Sequence, residues 1–143
     1  MAKLRVYHGC MFANKTTLIL NEANLLKVCN KKYIIVKPKI DTRFASNRIV
    51  SHNNYHEECN IVENLYEIVD EIKKENIDTI FIDEGQFFKD LVKPVLHFVE
   101  ELKVNVVVTG LDGDSDRNKF GELLDLIPYC DESRKLTALC ANC

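Results

Sequence analysis

Gly9-Cys10-Met11-Phe12-Ala13-Asn14-Lys15-Thr16-Thr17 stands between a short β-branched run, Leu4-Arg5-Val6-Tyr7, and a helical pattern that opens at Lys15. A glycine, four residues, then glycine, lysine and a hydroxyl is the spacing of a loop whose backbone N–H groups, with the N-terminus of the next helix, surround phosphates. Gly9, Lys15 and Thr16 fit it, and Asn14 stands where the second glycine is usual. Residues Gly9 to Thr17, with Cys10, Met11, Phe12 and Ala13 among them, form the phosphate-binding stretch. Lys15 is placed to reach the outer phosphates of a nucleoside triphosphate, and Thr16 to offer its hydroxyl to Mg²⁺. Asn enters positive φ more readily than most residues, so it is the least costly replacement where conformation is at issue. It is a worse one where the backbone must approach a ligand closely. A lowered phosphate affinity is therefore expected.

Outward from this loop, short apolar runs recur without polar alternation: Tyr33 to Val36, Thr79 to Ile82, Val104 to Thr109, and Lys135 to Leu139 as a fifth. Such runs suit strands buried on both faces of a parallel sheet. Helical patterns lie between them. Lys15 to Cys29 carries Leu18, Ile19, Leu25, Leu26 and Val28; Ile61 to Lys74 carries Ile61, Leu65, Ile68, Val69 and Ile72. Gln86 to Leu102 carries a third set, with Pro94 marking a kink. Strands alternating with helices imply β-α-β crossovers, and ligands of such sheets bind beyond the carboxyl ends of the strands. The expected fold is α/β, a phosphate-loop NTPase-type (RecA-like) parallel sheet flanked by helices. Lys37 to Asn60, polar and rich in Asn and His, is expected to be a long functional loop.

The chain has 143 residues and a formal net charge of -3, which fits one compact domain and gives no basis for nucleic-acid binding. No apolar run approaches the roughly 20 residues that span a membrane. The apolar run after Met1 is too short for a signal-peptide core. The six cysteines lack the density of a secreted disulfide scaffold, so a reducing, cytoplasmic setting is expected.

The run Thr79 to Ile82 stops in Asp83-Glu84. In phosphate-loop enzymes an Asp at such a strand end helps hold Mg²⁺, and a neighbouring Glu can take a proton from a hydroxyl nucleophile.

Asp83-Glu84-Gly85-Gln86-Phe87-Phe88, together with Gly9-Cys10-Met11-Phe12 before Lys15, resembles the thymidine kinase family of the cellular, poxviral and bacterial kind. Asp41-Thr42-Arg43-Phe44, Ser51-His52-Asn53, Gly110-Leu111-Asp112-Gly113-Asp114 with Phe120-Gly121, and Lys135 to Cys143 are similar to further segments of that family, in order. The resemblance implies ATP-dependent phosphorylation of the 5′-hydroxyl of thymidine or deoxyuridine. It implies that Lys15 and Thr16 serve ATP and Mg²⁺, that Asp83 supports the metal, and that Glu84 is the general base. Arg43 would lie near the phosphates with Asp41, while Met11, Phe87 and Phe120 border the thymine. It also implies a homotetramer. Plainer roles stay open: Arg43 as a surface arginine, and Met11, Phe87 and Phe120 as ordinary core.

The chain departs from the family at Asn14, at Cys10 where many members have Pro, and at Ser115 where an aromatic ring is usual. Base–aromatic stacking is worth roughly 1–3 kcal/mol per base in single-strand binders. The family pattern runs on past a first Cys-x-x-Cys into a loop that closes over the base and a second ligand pair. Here Cys140 and Cys143 supply two of the four ligands that structural zinc takes. The expected division is therefore 1–134 as the nucleotide-binding kinase domain and 135–143 as the start of an incomplete zinc-binding or lasso module. Exposure of the nucleoside pocket to water is expected to slow the chemical step. The alternatives are a non-catalytic nucleotide-binding or scaffold protein on the same fold, and a phosphate-loop kinase of another small substrate.

Overall fold

The computed structural model describes residues 2–9, 15–39, 48–50, 56–113, 118, 119 and 121–136, with 48–50 and 56–58 as backbone only. The strands are β1 (Leu4–Gly9), β2 (Tyr33–Pro38), β3 (Arg48–Val50), β4 (His56–Glu58), β5 (Asn60–Val62), β6 (Thr79–Ile82), β7 (Asn105–Leu111) and β8 (Glu132–Leu136). Six of them form one parallel sheet in the order β5-β2-β6-β7-β1-β8. β3 and β4 pair antiparallel in a separate ribbon.

Side-chain alternation divides the core in two. Leu4, Val6, Ile34, Val36, Ile80, Ile82, Val106 and Val108 face one side. There they meet Leu65 and Ile68, Ile72 of α2 (Val69–Glu75), Val95 of α3 (Val92–Leu96) and Leu123 and Leu126. Tyr7, Ile35, Phe81 and Val107 face the other side, under Ile19, Leu20 and Ala23 of α1 (Lys15–Val28). Connections of one hand that cross a sheet in opposite directions must lie on opposite faces. α1 carries the chain from β1 across to β2 on one face, while α2 and α3 carry it back on the other. The directions part at β1, so the crevice used by ligands opens over the carboxyl ends of β1 and its neighbours.

The four apolar runs before residue 110 are strands, as their patterning predicts. The fifth expected strand, Lys135 to Leu139, is observed as Glu132–Leu136, with 137–139 outside the described residues; the 134/135 division falls inside it. Other expectations are refined. Ile61 and Val62 are not helical but pair as β5 with β2; a 3₁₀ turn (Leu65–Ile68) that leads into α2 starts after Asn64, whose side chain accepts from the Tyr66 N–H at 2.9 Å in a capping box with Glu67. Gln86 and Phe87 belong to a 3₁₀ turn, Phe88 is extended, Lys89 and Asp90 bend, and α3 begins only at Val92. Pro94 lies in the first turn of α3, where no intrahelical donor is required, and the helix passes into a π turn at His97–Glu101. Glu122 Oε1 caps that turn, accepting from the N–H groups of Leu91 and Val92 at 3.3 and 3.0 Å. Finally, Leu25 and Val28 do not belong to the packed face of α1; they are 63% and 78% exposed. Lys37 and Pro38 extend β2, and the long polar stretch also holds β3 and β4. Among the described residues no helix is long and apolar enough to cross a membrane.

Candidate active site

Alternation along β2, β6 and β7 carries Lys37, Asp83 and Thr109 onto the face that α1 covers, at the carboxyl edge of the sheet. Lys15, the first residue of α1, joins them. All four are buried. Glu84 N–H and Thr109 Oγ1 donate to Asp83 Oδ1 at 3.0 and 2.9 Å. Burial pushes the Asp83 carboxyl above its ordinary range; the Thr109 bond, Lys37, the Glu84 N–H and Lys15 act against that rise.

Glu84 is one residue further on and adopts the left-handed conformation, φ 55° and ψ 42°. A non-glycine residue held there costs on the order of 1–3 kcal/mol, and such strain gathers at functional sites. The turn is fixed by Gln86, which is buried: its Nε2 donates to Glu84 Oε2 at 2.7 Å, and its Oε1 accepts from the Leu111 N–H at 3.0 Å. One amide thus ties the Glu84 carboxylate to the end of β7. Gly110 leaves room for it, since a Cβ at Gly110 would collide with Gln86 Oε1. Gly121, at φ 61°, lies equally close to the Gln86 carbonyl.

A second cluster ties the ends of β1, β7 and β8. His8 Nδ1 donates to Asp112 Oδ2 at 2.9 Å, and Lys135 Nζ approaches the same oxygen at 3.5 Å. Burial would raise the Asp112 carboxyl, but His8 and Lys135 outweigh it and hold it below the ordinary range. Next to this cluster, Gly9 packs on the Leu136 carbonyl with no space for a Cβ.

Of the residues expected to form the site, Lys15 and Asp83 meet in one buried cluster, with Glu84 beside Asp83. Gly9 ends β1, and Thr16 and Thr17 are half-buried in the first turn of α1. Phe87 is half-buried and lines a groove of about 530 Å³ with Pro38, Asn64 and Lys89. Cys10 to Asn14, Asp41, Arg43, Ser115, Phe120, Cys140 and Cys143 lie outside the described residues. Among the described residues no three His, Cys, Asp or Glu side chains group as a metal site. Sequence reasoning missed Lys37, Thr109 and Gln86. Each carried a signal: a polar residue where an apolar strand run continues inward, or an amide two places after a strand-end carboxylate.

The family model described as thymidine kinase matches residues 2–143. A thymidine kinase of Oryza sativa subsp. japonica is 36% identical over 145 residues, covering 99% of this chain and 54% of the rice protein. One of Ureaplasma urealyticum is 37% identical over 139 residues, covering 94% of this chain and 62% of that protein. One of Sheeppox virus is 34% identical over 135 residues, covering 94% and 74%. The chain thus spans little more than half the length of the rice relative. With its parallel sheet, its lysine at the head of α1 and its paired acids at the end of β6, the chain belongs to the thymidine kinase family.

Proposed function

We propose that this chain carries the phosphoryl-transfer site of a thymidine kinase, moving the γ-phosphoryl group of ATP to the 5′-hydroxyl of thymidine or deoxyuridine. The observation that carries the reading is the Glu84 carboxylate, held in a strained turn by Gln86 beside the buried Asp83–Lys15 cluster. Phosphoryl transfer asks mainly for charge neutralisation and in-line placement. Lys15, at the start of α1, offsets phosphate charge, and the phosphate-loop reading extends that role to Gly9 to Thr17. The Glu84 carboxylate takes the 5′-hydroxyl proton as the oxygen bonds to the γ-phosphorus and ADP departs. Strand order supports the phosphate-loop type, since β7 alone separates β1 from the acid-bearing β6.

The residues suit Mg²⁺. That ion is held by one or two carboxylates plus substrate phosphates rather than by a protein cage. Asp83 supplies such a carboxylate, with both described hydrogen bonds on one oxygen, and Thr16 a hydroxyl. When bound, Mg²⁺ supplies neutralisation of the phosphate charge. Roles for Arg43 and Asp41 at the phosphates, for Met11, Phe87 and Phe120 at the thymine, and for Cys140 and Cys143 at zinc rest on the resemblance. So do a homotetramer and a cytoplasmic setting.

Calorimetry tests the reading. Mg-ATP and thymidine should both bind. Binding of ATP without thymidine would replace it with a non-catalytic nucleotide-binding protein, and binding of neither with a structural role.

A further inference from the structure

Lys37 is a charged residue at the end of an apolar strand, and it is buried rather than turned to water. In the β2–β6 register Val36 stands opposite Ile82, and the Asp83 N–H donates to the Val36 carbonyl at 2.9 Å. Lys37 is therefore the direct neighbour of Asp83 across the ladder. Alternation sends both side chains to the α1 face, where Lys37 acts on the Asp83 charge. Cys59 is buried beside both, and burial pushes its thiol up to about 11, so it brings no charge of its own. A buried ammonium and a buried carboxylate are each costly alone and tolerable together.

We propose that Lys37 is a positioning residue of the phosphate site, the buried counter-charge that holds the Asp83 carboxylate in place beneath the carboxyl edge of the sheet. Lys37 acts through Asp83. Lys15 sits at the head of the helix that follows the phosphate loop, so the two lysines differ in role. The pairing stands without any nucleotide; its use in receiving Mg-ATP rests on the function proposed above.

A double-mutant cycle on the full chain, free of nucleotide and metal, tests the pairing. Lys37→Met is expected to lower Tm by about 10 °C, because it removes the counter-charge next to the buried Asp83 and leaves only Lys15 to oppose it. Lys37→Met with Asp83→Asn should unfold at a higher temperature than Lys37→Met alone, and Lys37→Arg should stay nearer wild type than Lys37→Met. A lysine that only fills volume gives the reverse order of Met and Arg. A double variant no more stable than Lys37→Met overturns the proposal. If Lys37→Met does not fold, a folded double variant supports the pairing and an unfolded one overturns it. The second readout is the Mg²⁺ concentration that half-saturates binding of a fluorescent ATP analogue. Loss of the positioning charge should raise it about tenfold in the Met variant, with Arg restoring it. An unchanged Mg²⁺ requirement in folded Lys37→Met removes the positioning role. Failure of wild type to bind the analogue defeats the nucleotide reading and leaves the stability cycle to decide the pairing.

Discussion

At the scale of single residues, Glu84 shows why a site and a stable turn ask for different things. Its φ of 55° suits glycine, yet a carboxylate occupies it and Gln86 holds that carboxylate. Glu84→Gly should remove turnover and change stability by no more than about 1 kcal/mol in thermal unfolding, because relief of the left-handed turn is offset by loss of the Gln86 Nε2 bond to the carboxylate. Asp112 carries the opposite kind of prediction. Its folded carboxyl lies below its ordinary value, so its contribution is present above about pH 3.8 and is lost as pH falls through the folded value. Asp112→Asn should cost roughly 1–3 kcal/mol at pH 7, with the gap to wild type closing on acidification. Asp83 runs the other way. Its folded value is raised, so its contribution is fully present below about pH 3.8 and is lost as pH rises through the higher folded value.

At the scale of elements, the caps and glycines set where chain segments begin. Asn64→Ala should cost about 1 kcal/mol, or roughly 3 °C in Tm, because its side chain satisfies an orphan N–H at the start of the Leu65–Ile68 turn. Gly110→Ala should disturb both the site and the sheet: its methyl meets the buried Gln86 Oε1 and crowds Leu123 and the Gly85 backbone, so a rate loss together with a fall in Tm of roughly 3–9 °C is expected. Much of this level was legible. Strands β1, β2, β6 and β7 announce themselves because both faces are buried, which leaves β-branched residues no need to alternate with polar ones. The start of α2 was not legible. Ile61 and Val62 fit either period, and what makes them a strand is the edge of β2, a partner distant in sequence. In α1, Leu25 and Val28 are apolar residues that helical periodicity places off the packed face of Ile19, Leu20 and Ala23.

At the scale of the whole molecule, sheet order is what joins segments far apart in sequence into one site. Lys37, Asp83 and Thr109 share one face because the register between β2, β6 and β7 keeps their alternation in phase, and Lys15 joins them from the head of α1. The acids and the lysine of the loop could be picked out from their neighbours in sequence. Lys37 and Thr109 carry only the weaker signal of a polar residue at the end of an apolar run, and their meaning comes from the strand beside them. The central claim is that Glu84 acts as the base of a phosphoryl transfer to thymidine. The most direct measurement is ADP release by the folded chain with Mg-ATP, with and without thymidine, for wild type and Glu84→Gln. Release that depends on thymidine, appears together with thymidine monophosphate, and falls by about 10²–10⁴-fold in Glu84→Gln with ATP binding retained is the predicted result. Thymidine-independent release, or a Glu84→Gln variant as fast as wild type, would contradict it.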